Sequence, residues 1–415
     1  MKTKVFMAVA AAMVLLSSCD ILITEQGNPR KALQLSTKSG ELLEKGNGFS
    51  FKFLSAVNDS ANTDYVISPL SMQFLLGMIL NGAKGETATE ICNVLGYGAG
   101  EVDAVNSFCL SMLQQLPKLD KKTKLSIANA IFVDAGYQLN APYKSTVSKH
   151  YLAEVSNLDF SKTRESTDHI NNWCSKNTNG MIPKVLDEVS PNMLAYLLDA
   201  LYFKSEWTRK FKKEMTKETY FTGEDGSKST VSMMRNMAHF LYTETKVLRA
   251  VDMPYGNGAY SMTALLPQQG YKLSDVVKEL ENSDWNTLRA SMDSCNVDLW
   301  IPKFETSFHI NLNGLLSEMG MPRSFSLGAD FSAMSPNAAR LSFVQQDAVI
   351  KVDEEGSEAA AVSSAGMEKN SAGPPDPFKY VVFHADRPFI YLITEHDTGA
   401  VLFAGRYSAK PQPKK

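Results

Sequence analysis

Cysteine is scarce: the chain has five in 415 residues, none in a CxxC pair and none with a histidine nearby at ligand spacing. That argues against a structural zinc site. Excess charge of either sign is also lacking. The formal net charge is -3, so no basic face points to nucleic acid. No apolar run reaches the ~20 residues a membrane span needs. Catalytic signatures are missing too: there is no G-x-S-x-G, no H-E-x-x-H, no P-loop and no G-x-G-x-x-G. The six histidines (His150, His169, His239, His309, His384 and His396) are scattered. The acids Glu354 and Glu355 abut Gly356 and form no matched acid/base pair. These absences predict a protein that is not an enzyme and needs neither metal nor cofactor.

What is present begins with an address. Lys2 and Lys4 precede the apolar run Val5 to Leu16, which ends in Leu16-Ser17-Ser18-Cys19. Small residues before a cysteine at that point resemble a bacterial lipobox, in which the cysteine becomes the lipidated N-terminus. The expected organisation is a signal peptide over 1–18, a lipid-anchored tether over 19–40, one large domain over 41–408 and a short tail over 409–415. The anchor would hold an otherwise soluble monomer on a membrane, facing the periplasm or the cell surface. Cys92, Cys109, Cys174 and Cys295 read as free, buried thiols, since a domain of this length needs no staples.

Segments of both periods alternate along the domain. Gly85 to Leu95 reads as a helix capped by Thr87, and Asp168 to Asn177 as a short amphipathic one. Leu125 to Val133, Ala195 to Phe203, Tyr260 to Pro267, Val297 to Phe304 and Val401 to Tyr407 read as buried strands. The mixed order predicts an α+β fold. Lys118, Lys121, Lys122 and Lys124 form one basic cluster. It reads as a solvated turn, with a polyanion site as the sharper alternative.

Ordered blocks then carry a resemblance. Val66-Ile67-Ser68-Pro69-Leu70-Ser71, Asn129-Ala130-Ile131-Phe132, Thr178-Asn179-Gly180-Met181-Ile182, Leu201 to Trp207, Lys351 to Ala361 and Leu402 to Arg406 resemble, in order, the blocks of the serpin family. The resemblance implies three β-sheets, about nine helices and an exposed reactive-centre loop. It implies protease inhibition by a suicide substrate. The hinge would be Glu354, Glu355, Gly356, Ser357, Glu358, Ala359, Ala360 and Ala361. The residues beneath the opening sheet would be Ser68, Pro69, Ser71, Asp199, Trp207 and Gln346.

The hinge suits an inhibitor. As an inserted strand, its inward set would be Ser357, Ala359, Ala361, Ser363, Ala365 and Met367, all small or apolar. Its charges, Glu358 and Glu368, fall on the outward set. The resemblance implies a scissile bond about seventeen residues into the loop, counted from the first hinge acid; from Glu354 that count ends at Asn370. The candidate scissile residues are therefore Lys369, Asn370 and Ser371, with Lys369 pointing to a trypsin-like serine protease. Cysteine proteases remain open as targets, and so does a non-inhibitory member acting as a chaperone or cleavable substrate. The family commonly has Asn at position 199 and His at position 346. The expectation here is that the Gln346 amide donates to the Asp199 carboxylate in place of that pair.

Overall fold

A computed structural model describes residues 27–337, 339–342, 344–357 and 377–410. The apolar runs become strands at or near the expected bounds: Lys124–Asp134, Ala195–Glu206, Tyr260–Pro267 and Val401–Tyr407. The run read as one strand over 297–304 is two, Asp293–Pro302 and Phe304–Asn311, parted at Lys303. Nine α-helices lie among the described residues.

Hydrogen bonding joins the strands into two sheets, where three were expected. Six strands form the central sheet, in the order Phe304–Asn311, Gln345–Val352, Gly356–Ser357, Ala195–Glu206, Lys124–Asp134, Glu154–Leu158. The other nine are continuous because Lys228–Glu244 is long enough to serve two regions at once. Its Leu241 to Glu244 end pairs with Leu248–Tyr255, while Met233 to Tyr242 pairs with Asp293–Pro302.

Burial follows the pleat. Tyr260–Pro267 and Phe389–Glu395 are buried at every position, so their sequences are mainly apolar with no regular alternation. The main core fills the space between the sheets and the helices Thr37–Ser60 and Pro69–Gly82. A smaller cluster packs the helix Thr163–Asn177 against the front of the central sheet through Phe132, Trp173, Tyr196 and Ala200. Helix Gly85–Leu95 has the expected bounds, but Thr87 does not cap it. Thr87 sits one turn inside, fully buried, and its hydroxyl oxygen accepts from the Asp330 amide.

Packing starts ahead of the expected boundary at 41. Asn28 is buried and donates to Asp120, Leu33 joins the core, and a helix begins at Thr37. At the other end Lys410 is tied in, its amide donating to Asp64 and its ammonium pairing with Asp225. Cys92, Cys109, Cys174 and Cys295 are free and buried, as read. Cys19 lies outside the described residues.

Candidate functional site: a seam in the central sheet

The local sequence at Ser68 builds one wall of the site. The Ser68 hydroxyl oxygen accepts from the Ser71 amide as the cap of helix Pro69–Gly82, with Pro69 at the first helical position. The same hydroxyl donates to the Leu402 carbonyl. The serine thus clamps helix start to core strand. Gln346 then grips its backbone: Oε1 accepts from the Ser68 amide at 3.0 Å and Nε2 donates to the Ser68 carbonyl at 2.9 Å.

Both ends of the Gln346 amide are therefore used, and the expected Gln346–Asp199 bond is not made. Among the described residues, neither carboxyl oxygen of Asp199 has a hydrogen-bond partner. Burial pushes this carboxyl well above its ordinary value of 3.8. Asn129, its neighbour across the ladder, also holds a buried Oδ1 without a donor. Asp199, Gln346, Ser68 and Ser71 line a cavity of about 40 Å³.

The seam lies between Ala195–Glu206 and Gln345–Val352. Among the described residues these strands share no ladder of their own. They are joined only through Gly356 and Ser357, which form a two-residue strand antiparallel to both. Gly356 pairs with Glu206, and Ser357 pairs with Ser205 on one side and Val352 on the other. Farther down, a cavity of about 330 Å³ opens between Leu194 to Leu198 and Leu341 to Gln345.

At the top of the seam the hinge is held tightly. The Trp207 ring stacks on Tyr255 at 4.2 Å, and its indole N–H donates to the Asp353 carbonyl at 2.8 Å. The Tyr255 and Ser357 hydroxyls are bonded at 2.7 Å, so the Ser357 side chain faces the core. That is the inward orientation expected of it. Gly356 is required by close approach: a Cβ there would stand 2.0 Å from the Ser205 carbonyl oxygen. Glu354 is buried and accepts from Lys303 and Thr216, each at 2.9 Å. Burial works against its charge, but the hydrogen bonds from Lys303, a backbone amide and Thr216, with the Lys303 charge, together hold the carboxyl below its usual range. Glu355 pairs with Lys210 at 2.9 Å and Lys213 at 3.8 Å.

The structure thus brings together Ser68, Pro69, Ser71, Asp199 and Gln346 at mid-seam, and Trp207 with Glu354 to Ser357 at its head. Glu358, Ala359, Ala360, Ala361, Lys369, Asn370 and Ser371 lie outside the described residues. Two partners escaped the sequence reading, Tyr255 and Lys303. Tyr255 is the last residue of the strand Leu248–Tyr255, and Lys303 interrupts a run read as continuous. The four lysines of the basic cluster are exposed around the buried Asp120.

A family model described as "Serpin (serine protease inhibitor)" matches residues 44–410. Serpin B6 of Pongo abelii is 31% identical over 381 residues, covering 89% of this chain and all of that protein. The leukocyte elastase inhibitor of Xenopus tropicalis is 33% identical over 377 residues, covering 87% and 97%. Among solved structures, the thermophilic serpin tengpin in its native state superposes with a TM-score of 0.81 at 27% identity, covering 94% of this chain and 99% of that one. On this likeness in sequence and fold, the chain belongs to the serpin family.

Proposed function

We propose that this protein inhibits a protease as a single-use substrate, by inserting a cleaved loop into the seam of its central sheet. The observation that carries this reading is the placement of Gly356 and Ser357. They hold two positions of a strand between Ala195–Glu206 and Gln345–Val352, and among the described residues those two strands have no ladder below them. Cleavage near Lys369 to Ser371 would free the segment from Ser357 to Lys369 to continue that strand. Each added residue then gains backbone hydrogen bonds on two sides. A protease held as its acyl-enzyme would be carried along and distorted before water releases it. Loop insertion by serpins is a known switching mode.

The register supports the chemistry of the hinge. Carried onward from Ser357, it would set Ala359 between Phe203 and Ile350, and Ala361 between Leu201 and Ala348. These neighbours are buried and apolar, or nearly so. Ser363 would meet Asp199 and Gln346, and Met367 would reach Ala195 at the far end of the strand. The twelve residues of Ala195–Glu206 therefore offer a partner to everything from Gly356 to Met367.

The target proposed is a serine protease of trypsin-like preference, placing Lys369 in its specificity pocket. The Cys19 lipid anchor would present the inhibitor at a bacterial membrane. Mixing the protein with trypsin and resolving the products on a denaturing gel tests the reading. A complex that survives denaturation, with a released peptide starting at Asn370 or Ser371, supports it. Cleavage without a complex by trypsin and by a panel of serine and cysteine proteases contradicts it and favours a non-inhibitory substrate.

A further inference from the structure

We propose that Asp199 makes opening of the central sheet proton-linked, so that the closed seam carries a proton on this side chain and the opened seam releases it. The inference rests on the reading above that this seam opens. It concerns the regulation of that step, which the family resemblance does not address.

The geometry comes first. Asp199 sits in the middle of Ala195–Glu206, on the strand that borders the seam. Its side chain shares a small cavity with Ser68, Ser71 and Gln346, and so faces the core beneath the sheet. Both carboxyl oxygens are buried with no donor. The Gln346 amide beside it is committed elsewhere, to the Ser68 backbone. Opposite it in the ladder, Asn129 gives its N–H to the Tyr151 carbonyl and leaves its own oxygen unpaired. Residues paired across a ladder share a face, so three acceptor oxygens lie on one side of this strand pair with no donor among the described residues. A protonated carboxyl supplies the missing hydrogen, and an ionised one adds an unpaired buried charge.

No cation compensates. From helix Pro69–Gly82 the neighbours are Ser71, Met72 and Leu75, none of them titratable. From helix Thr163–Asn177 it is Cys174, whose thiol is pushed up to about 12 by burial, then by Asp347 and Asp199. Ile182 and Val185 are apolar, as is Phe403 from the strand beyond. From Gln345–Val352 come Gln345, Gln346, Ala348 and Asp347, the last paired with His309 at 2.7 Å. The charged groups facing Asp199 are thus of its own sign, and burial alone sets the direction of its shift.

The sign follows. A carboxyl raised in the closed form binds a proton that the opened form does not hold. The stability this lends the closed sheet is complete below the ordinary carboxyl value of 3.8 and is lost as pH rises through the raised one. Alkaline conditions favour opening and acid holds the sheet shut. Across that window the ratio of open to closed changes by up to about tenfold per pH unit.

The test compares the full chain with Asp199→Asn between pH 4.5 and 8.5. Two quantities are read: the unfolding midpoint, and the rate of uptake of a labelled synthetic peptide with the sequence of residues 357–370. The expected result is a variant more stable than the parent at pH 8.5, with the gap closing toward pH 4.5. Peptide uptake by the parent rises with pH, and uptake by the variant does not. Equal pH slopes in parent and variant overturn the inference. Should the asparagine variant fail to fold, Asp199→Ser removes the same charge with less bulk. Trypsin added to the parent at pH 7.5 separates the two claims. Covalent complexes with equal pH slopes retain the inhibitory reading and sink the proton linkage. The expected slopes without complexes from any protease do the reverse.

Discussion

At the scale of single residues, the site is a set of close approaches. Gly356 lies where any Cβ would press on the Ser205 carbonyl at 2.0 Å. Gly356→Ala is expected to lower stability by about 1–3 kcal/mol, the range for overpacking, measured by denaturant titration. Trp207 closes the head of the seam with one hydrogen bond to the Asp353 carbonyl. Trp207→Phe keeps most of the stack on Tyr255 but leaves that carbonyl without its donor, at a cost of about 1–3 kcal/mol. An unchanged midpoint would mean the indole N–H contributes nothing there. The inward orientation of Ser357 was legible, because alternation leaves a strand one arrangement of small and charged residues. The pairing of Asp199 was not. Sequence shows that an acid and an amide occur together, but not that the Ser68 backbone offers the amide both a donor and an acceptor.

At the scale of elements, insertion is a question of which face each position takes. With Ser357 inward, a strand continued from it would bring Ala359 to the core face between Phe203 and Ile350. Ala359→Arg would bring a guanidinium into that apolar space, at a cost of several kcal/mol. The expected outcome on a denaturing gel is cleaved protein in place of complex. Full retention of complex by this variant would contradict the insertion reading. Legibility of the elements tracked burial. Tyr260–Pro267 and Val401–Tyr407 were readable to the residue, being mainly apolar segments with clear ends. Lys228–Glu244 was missed because its buried, half-buried and exposed positions mix along 17 residues. Helix Pro69–Gly82 is buried almost all round and so shows no periodicity. The helix Thr163–Asn177 was read without its first turn, whose residues Thr163, Arg164 and Glu165 carry no apolar signal.

At the scale of the molecule, one tightly packed body surrounds one unfinished element. The cores on either side of the central sheet are continuous, yet among the described residues the two middle strands are joined only through Gly356 and Ser357. A sequence-only reading reaches the family and the hinge. It cannot place the seam, since that depends on which strands fail to pair. Under the proposed mechanism, a seam without a full strand would store free energy that the inserted loop releases, and the intact protein would be kinetically protected. The measurement that tests this most directly is the unfolding temperature before and after a single cut within residues 367–371, made by a protease that leaves no complex. The account predicts a large rise on cleavage, because the freed segment completes the sheet. An unfolding temperature that stays the same or falls would show that the seam does not take up the loop.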